Sequence, residues 1–106
     1  MRYLMTTFGD GSTADERQYA EMDKFMAELS ASGVLLAAGG LEPGGVHVTS
    51  LDGEFTVTDG PFAEAKEVAG GFALVEVSSG EEAVELSRRA AAIGGNGTTI
   101  IQQVFG

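Results

Sequence analysis

Residues 71–105 read GFALVEVSSGEEAVELSRRAAAIGGNGTTIIQQVF, and the order of elements in this stretch decides the fold. GFALVEV (71–77) is rich in aromatic and β-branched types and predicts a strand. Ser79 followed by Glu82 has capping-box spacing, so a helix should start there. Glu81, Glu82 and Glu85 crowd the positive end of that helix dipole, while Arg88 and Arg89 lie nearer its negative end. Ala83 or Val84, with Leu86, Ala90 and Ile93, then recur at helical spacing and supply one apolar stripe. TTIIQQVF (98–105) predicts a closing strand, so the stretch is a β-α-β unit.

The same order is repeated upstream. RYLMTTF (2–8) predicts a strand that ends at the turn formers GDGS. Thr13 and Glu16 have capping-box spacing, and Tyr19, Met22, Met26 and Leu29, widened by Phe25, mark the buried stripe of a first helix. Gly33 supplies a left-handed stop, and VLLAAGGL (34–41) is a short apolar strand. Between the two units, Pro43, Gly44 and Gly45 form a loop. Asp52-Gly53 then joins VHVTS to EFTVT as a hairpin over 46–58, because Asp-Gly accepts positive φ at both turn positions.

The chain therefore reads as one α+β domain over 1–106, a ferredoxin-like sandwich with a hairpin inserted between two β-α-β units. Two helices cover one face of such a sheet. Yet Tyr3 and Met5 alternate with Leu4 and Phe8, and Phe72 and Leu74 with Val75 and Val77, so both faces are apolar. The uncovered face predicts a homodimer through the sheet faces.

Composition narrows the function. Sixteen acidic against six basic residues give a net charge of −10, which repels nucleic acid and anionic membrane surfaces. The absence of cysteine removes disulfides, thiolate nucleophiles and cysteine-ligated metals. No window has transmembrane length, and the first residues lack the pattern of a signal peptide, so a soluble cytoplasmic chain is expected. His47 is the only histidine. It should point away from the face shared by Val46 and Val48, and a His-based metal cluster is excluded. No cofactor and no metal site are expected.

The stretch TVTDGPFAEAKEVAGGF (56–72) is the densest in local signals. Asp59 ends a strand where its carboxylate can accept turn amides, Pro61 suits the first position of a helical turn, and Gly70 and Gly71 lead back to the sheet. The same residues, Asp59-Gly60-Pro61-Phe62 through Lys66-Glu67 to Phe72, resemble the signature of DGPF-domain proteins in the YCII-related family. That resemblance spans nearly the whole chain and implies a dimeric α+β barrel without a general biochemical activity. Other YCII-like proteins carry a proposed acid/base dyad of a histidine in the first helix and an aspartate near the next strand; Met22 and residues near Ala37 stand there in this chain. Where DGPF relatives have a basic final strand preceded by a histidine, Asn96 and Gln102-Gln103 occur.

Two functions are consistent with these residues. One is a small-molecule-binding or accessory protein with a carboxylate-centred site: Asp59 would accept a proton and Lys66 would hold an anionic group, with Phe62, Glu67 and His47 as further ligand-binding candidates. The other is a non-catalytic dimeric interaction module. No catalytic residue is assigned, and whether the chain is an enzyme is left open.

Overall fold

The computed structural model describes residues 1–9, 14–42, 44–59 and 69–106. The elements run β1 (Arg2–Gly9), α1 (Glu16–Ala31), β2 (Leu35–Gly40), β3 (Val46–Leu51), β4 (Glu54–Asp59), β5 (Ala69–Glu76), α2 (Gly80–Gly94) and β6 (Gly97–Val104). Strands β2, β5, β1 and β6 form an antiparallel sheet in that order, and β3 and β4 pair separately as a ribbon. This is the ferredoxin-like strand order with a hairpin inserted between its halves.

The start of α1 departs from the expected cap. Thr13 lies outside the described residues, and the capping box is made by Asp15 and Gln18: Asp15 Oδ1 accepts from the Gln18 amide at 2.8 Å, and Gln18 Oε1 accepts from the Asp15 amide at 2.9 Å. Both residue pairs have the required spacing. The observed one gains a further bond, because Gln18 Nε2 also donates to the Ile93 carbonyl of α2 at 3.3 Å. That geometry also explains why Tyr19, expected in the apolar stripe, is 60% exposed. Stepping back seven residues from buried Phe25 reaches Gln18, which takes the inward position, while Tyr19 is rotated toward solvent.

At its other end α1 closes with Gly33 at φ 81°; the Val34 amide donates to Leu29 O and the Gly33 amide to Ser30 O, satisfying two carbonyls that the helix leaves open. Helix α2 starts as expected, with Ser79 accepting from the Glu82 amide. The Glu82 carboxylate, however, accepts from the Ser78 amide at 2.9 Å and from the Ser78 hydroxyl, not from Ser79. Of the two alternatives for its stripe, Ala83 is fully buried and Val84 is 48% exposed.

The core lies between the helices and one sheet face. Tyr3, Met5, Val75 and Val77 meet Phe25 and Leu29 of α1 and Ala83 and Leu86 of α2. Arg89 of α2 stacks 4.7 Å from the Phe25 ring centre and approaches Glu28, tying the helices together at their outer seam. Strand alternation sends Leu4, Phe8, Phe72 and Leu74 to the opposite face, which no helix among the described residues covers. There the Phe72 ring lies over Gly39, whose added Cβ would sit 3.0 Å from the ring.

The hairpin turns at Asp52 and Gly53, with φ of 50° and 82°, as the Asp-Gly signal requires. Both of its strands are exposed along their whole length. The radius of gyration, 15.8 Å, exceeds the roughly 13 Å expected of a compact chain this long, as a projecting arm would produce. No helix among the described residues is long and apolar enough to cross a membrane.

Candidate functional site

Register decides which of the expected site residues meet. Asp59, at the exposed end of β4, pairs with Val46, while His47 pairs with Thr58. Because successive strand residues face opposite ways, Asp59 shares a ribbon face with Val46, Val48, Val57 and Phe55, and His47 lies on the other. The ribbon does not bring His47 and Asp59 together. Phe62, Lys66 and Glu67 lie outside the described residues.

A partly enclosed space occurs elsewhere, under the helices. A cavity of about 170 Å³ is bounded by Met22 and Met26 of α1, by Ser87, Ala90, Ala91 and Gly94 of α2, by the Gly95-Asn96-Gly97 turn, and by Thr7 and Thr99 of the sheet. Its floor follows from pairing: Thr7 lies opposite Thr99 in the β1–β6 ladder, on the same face as Met5 and Ile101. Its roof follows from the gap between α1 and α2, where the small residues Ala90 and Gly94 face the two methionines.

The lining has a defined chemistry. Two thioethers and several methyl groups give apolar, adaptable walls that suit a ring. The hydroxyls of Thr7, Ser87 and Thr99 and the Asn96 amide make no hydrogen bond to another described residue, so they can serve a ligand. Among the described residues, no ionisable side chain lines the cavity. The C-terminal turn of α2 ends at its rim and carries no basic residue, so the local field favours a donor group over an anion.

Two wider grooves are open to water. One, about 650 Å³, is lined by Tyr3, Glu81, Glu85 and Arg88, and its Arg88 already pairs with Glu85 at 3.4 Å. The other, about 500 Å³, runs along Glu21, Lys24, Glu28 and Arg89 on the outer helix seam. Exposed, mutually neutralising charges of this kind describe a solvated surface. We therefore place the candidate site in the smaller, more sheltered space.

The YCII-related domain matches residues 1–104. This chain belongs to the YCII-related family. The 5-chloro-2-hydroxyhydroquinone dehydrochlorinase TftG of Burkholderia phenoliruptrix, solved in complex with 2,5-dihydroxybenzoquinone, superimposes with a TM-score of 0.52 at 14% identity, over 99% of this chain and 94% of that one. CutA of Xylella fastidiosa gives a TM-score of 0.43 at 15% identity, over 97% and 83% of the two chains. Identities this low speak for the fold alone. No curated protein matches the sequence.

Within the family, the position at which the resemblance puts a histidine is Met22, and Met22 lines the cavity. Sequence reading named Met22 and Asn96 but missed Thr7, Ser87 and Thr99. Isolated hydroxyls carry no motif, and only the strand register and helix crossing bring these three to one space.

Proposed function

We propose that this YCII-related chain is a homodimeric small-molecule-binding protein that holds an uncharged, ring-sized ligand in the cavity beneath Met22 and Met26. The observation that carries the reading is the combination of partial enclosure, apolar walls and unengaged hydroxyls in a space whose described lining holds no ionisable group. A cavity of roughly 150 Å³ is large enough for a benzene-sized molecule. The fold neighbour bound to 2,5-dihydroxybenzoquinone supports a ligand with a single ring, and says nothing for its charge.

Dimerisation is supported by the bare sheet face. Across β1, β2, β5 and β6 the only charged residues are Arg2 and Glu76, which lie opposite each other and approach to 3.9 Å. Two strongly acidic copies can meet there without opposing their carboxylates, burying Leu4, Phe8, Phe72 and Leu74. A carboxylate-centred site at Asp59 with Lys66 is a separate ligand site within the same proposal, distinguished by Asp59→Asn.

Ligand-observed NMR with phenol and benzoate as probes tests the cavity. Phenol should bind and benzoate should not, because the described lining offers the carboxylate no cation. Equal binding of both, or phenol binding that survives filling of the cavity, would refute the assignment. The second reading, an interaction module, is favoured by the exposed apolar face of the hairpin.

A further inference from the structure

We propose that the apolar face of the β3–β4 hairpin is seated on a second copy of this chain, as an arm reaching across the dimer. This rests on the sheet-face dimer above and names a further surface it uses. The pairing Val46↔Asp59, Val48↔Val57 and Ser50↔Phe55 gathers Val46, Val48, Val57 and Phe55 on one ribbon face. The other face carries His47, Thr49, Thr56, Thr58 and Glu54, with Leu51 its one large apolar residue. The ribbon is therefore amphipathic, yet its apolar side is open: the three valines are 55–57% exposed and Phe55 is 71% exposed.

A two-stranded ribbon with nothing against its apolar side is marginal in water, so this one needs a partner surface. The described residues of its own body do not provide one, since β3 and β4 are exposed throughout. Charge favours a second copy. The chain carries −10, and the apolar ribbon face has a single carboxylate, Asp59, at its end. Like the bare sheet face, it is a place where two acidic copies approach with little repulsion.

Position points the same way. The hairpin leaves β2 after Gly40 and the chain re-enters the sheet in β5, where Gly40 pairs with Gly71. It thus hangs from one end of the ladder whose open face carries Phe72 and Leu74. Area completes the argument. Four side chains of this size, open to this degree, present about 400 Å². Two arms, each covering an equal area of the other copy, would bury about 1,600 Å² in total, the size of a standard specific interface.

The chain has no cysteine, so Val57→Cys introduces the only thiol and reports on the arm directly. Its labelling by a maleimide should slow at concentrations where the protein sediments as a dimer and accelerate on dilution. The double variant Val48→Ser/Val57→Ser should weaken dimerisation about 100-fold or more, since each substitution is present twice. Thr49→Ser/Thr58→Ser, on the polar face, should leave it unchanged. Circular dichroism checks that each variant is folded.

Labelling that ignores concentration, or an apolar-face variant that dimerises like the parent, overturns the proposal. If Leu74→Glu on the sheet face dissociates the dimer and the arm variant does not, the arm assignment falls and the sheet-face dimer stands. A purified chain that is monomeric at all concentrations overturns both. Protection of the thiol only by a different protein would refute the second copy as occupant.

Discussion

Gly94→Ala offers a test in which two measurements should move in opposite directions. Gly94 is the last residue of α2, its φ is not in the left-handed region, and an added Cβ would first meet Met22 Cε at 3.7 Å, an ordinary contact. Alanine in place of glycine in a helix is favourable by roughly 0.5–1 kcal/mol, with the lower end expected at a terminal position. The methyl group, in contact with Met22 Cε at an exposed position, adds a few tenths of a kcal/mol. Together these give about 1 kcal/mol, or a rise in Tm of about 4 °C for a domain of this size.

The same methyl projects into the 170 Å³ cavity and removes space that a ligand needs. Forcing a ring past it costs about 1–3 kcal/mol, a loss of tenfold or more in affinity. Thermal unfolding with and without phenol reads both effects: the free variant should melt higher and its ligand-induced shift should shrink. A variant that melts higher and keeps the full shift would place the ligand elsewhere. One that melts lower would refute the contact geometry around Met22.

Other consequences follow from the helix ends and the sheet. The hydrogen bond from the Ser78 hydroxyl, and then that from its amide, hold the Glu82 carboxyl below its ordinary value. A depressed folded-state pKa contributes stability above the unfolded glutamate range, which is lost as pH falls through the lowered pKa. Ser78→Ala should therefore melt lower than the parent at neutral pH, and the gap should narrow in acid; a gap constant with pH would refute this role. Arg89→Ala removes both the stacking on Phe25 and the 3.8 Å approach to Glu28, and should cost about 0.5–1.5 kcal/mol in chemical denaturation. Glu28→Gln alone should cost less, because the exposed ion pair is the weaker part.

Much of the architecture was legible because its signals are local. Asp52-Gly53, Gly33 and Ser79 each perform the backbone task that their residue types allow, and each appears where the spacing put it. The errors arose where local signals were degenerate. Thr13…Glu16 and Asp15…Gln18 have the same spacing, and the choice between them was made by a bond from Gln18 to Ile93, 75 residues away. The same long-range bond turned Tyr19 outward. The cavity was illegible for a related reason: Thr7, Ser87 and Thr99 are unremarkable singly, and they converge only through the β1–β6 register and the packing of two helices.

That register also divides the chain's two surfaces. In β1, Thr7 faces the cavity and its neighbour Phe8 faces the opposite sheet side, so a slip of one residue would exchange a cavity-lining hydroxyl for a ring. Gly97 helps to pin the alignment at this end. An added Cβ there would fall 2.8 Å from the Phe8 carbonyl oxygen, closer than any side chain can approach without moving backbone. Glycine thus lets β6 begin against the end of β1, opposite Gly9, and sets Thr99 across from Thr7 two residues later. A close backbone contact at one corner of the sheet therefore keeps the cavity's polar groups on the helix side and the apolar groups of the open sheet face on the other.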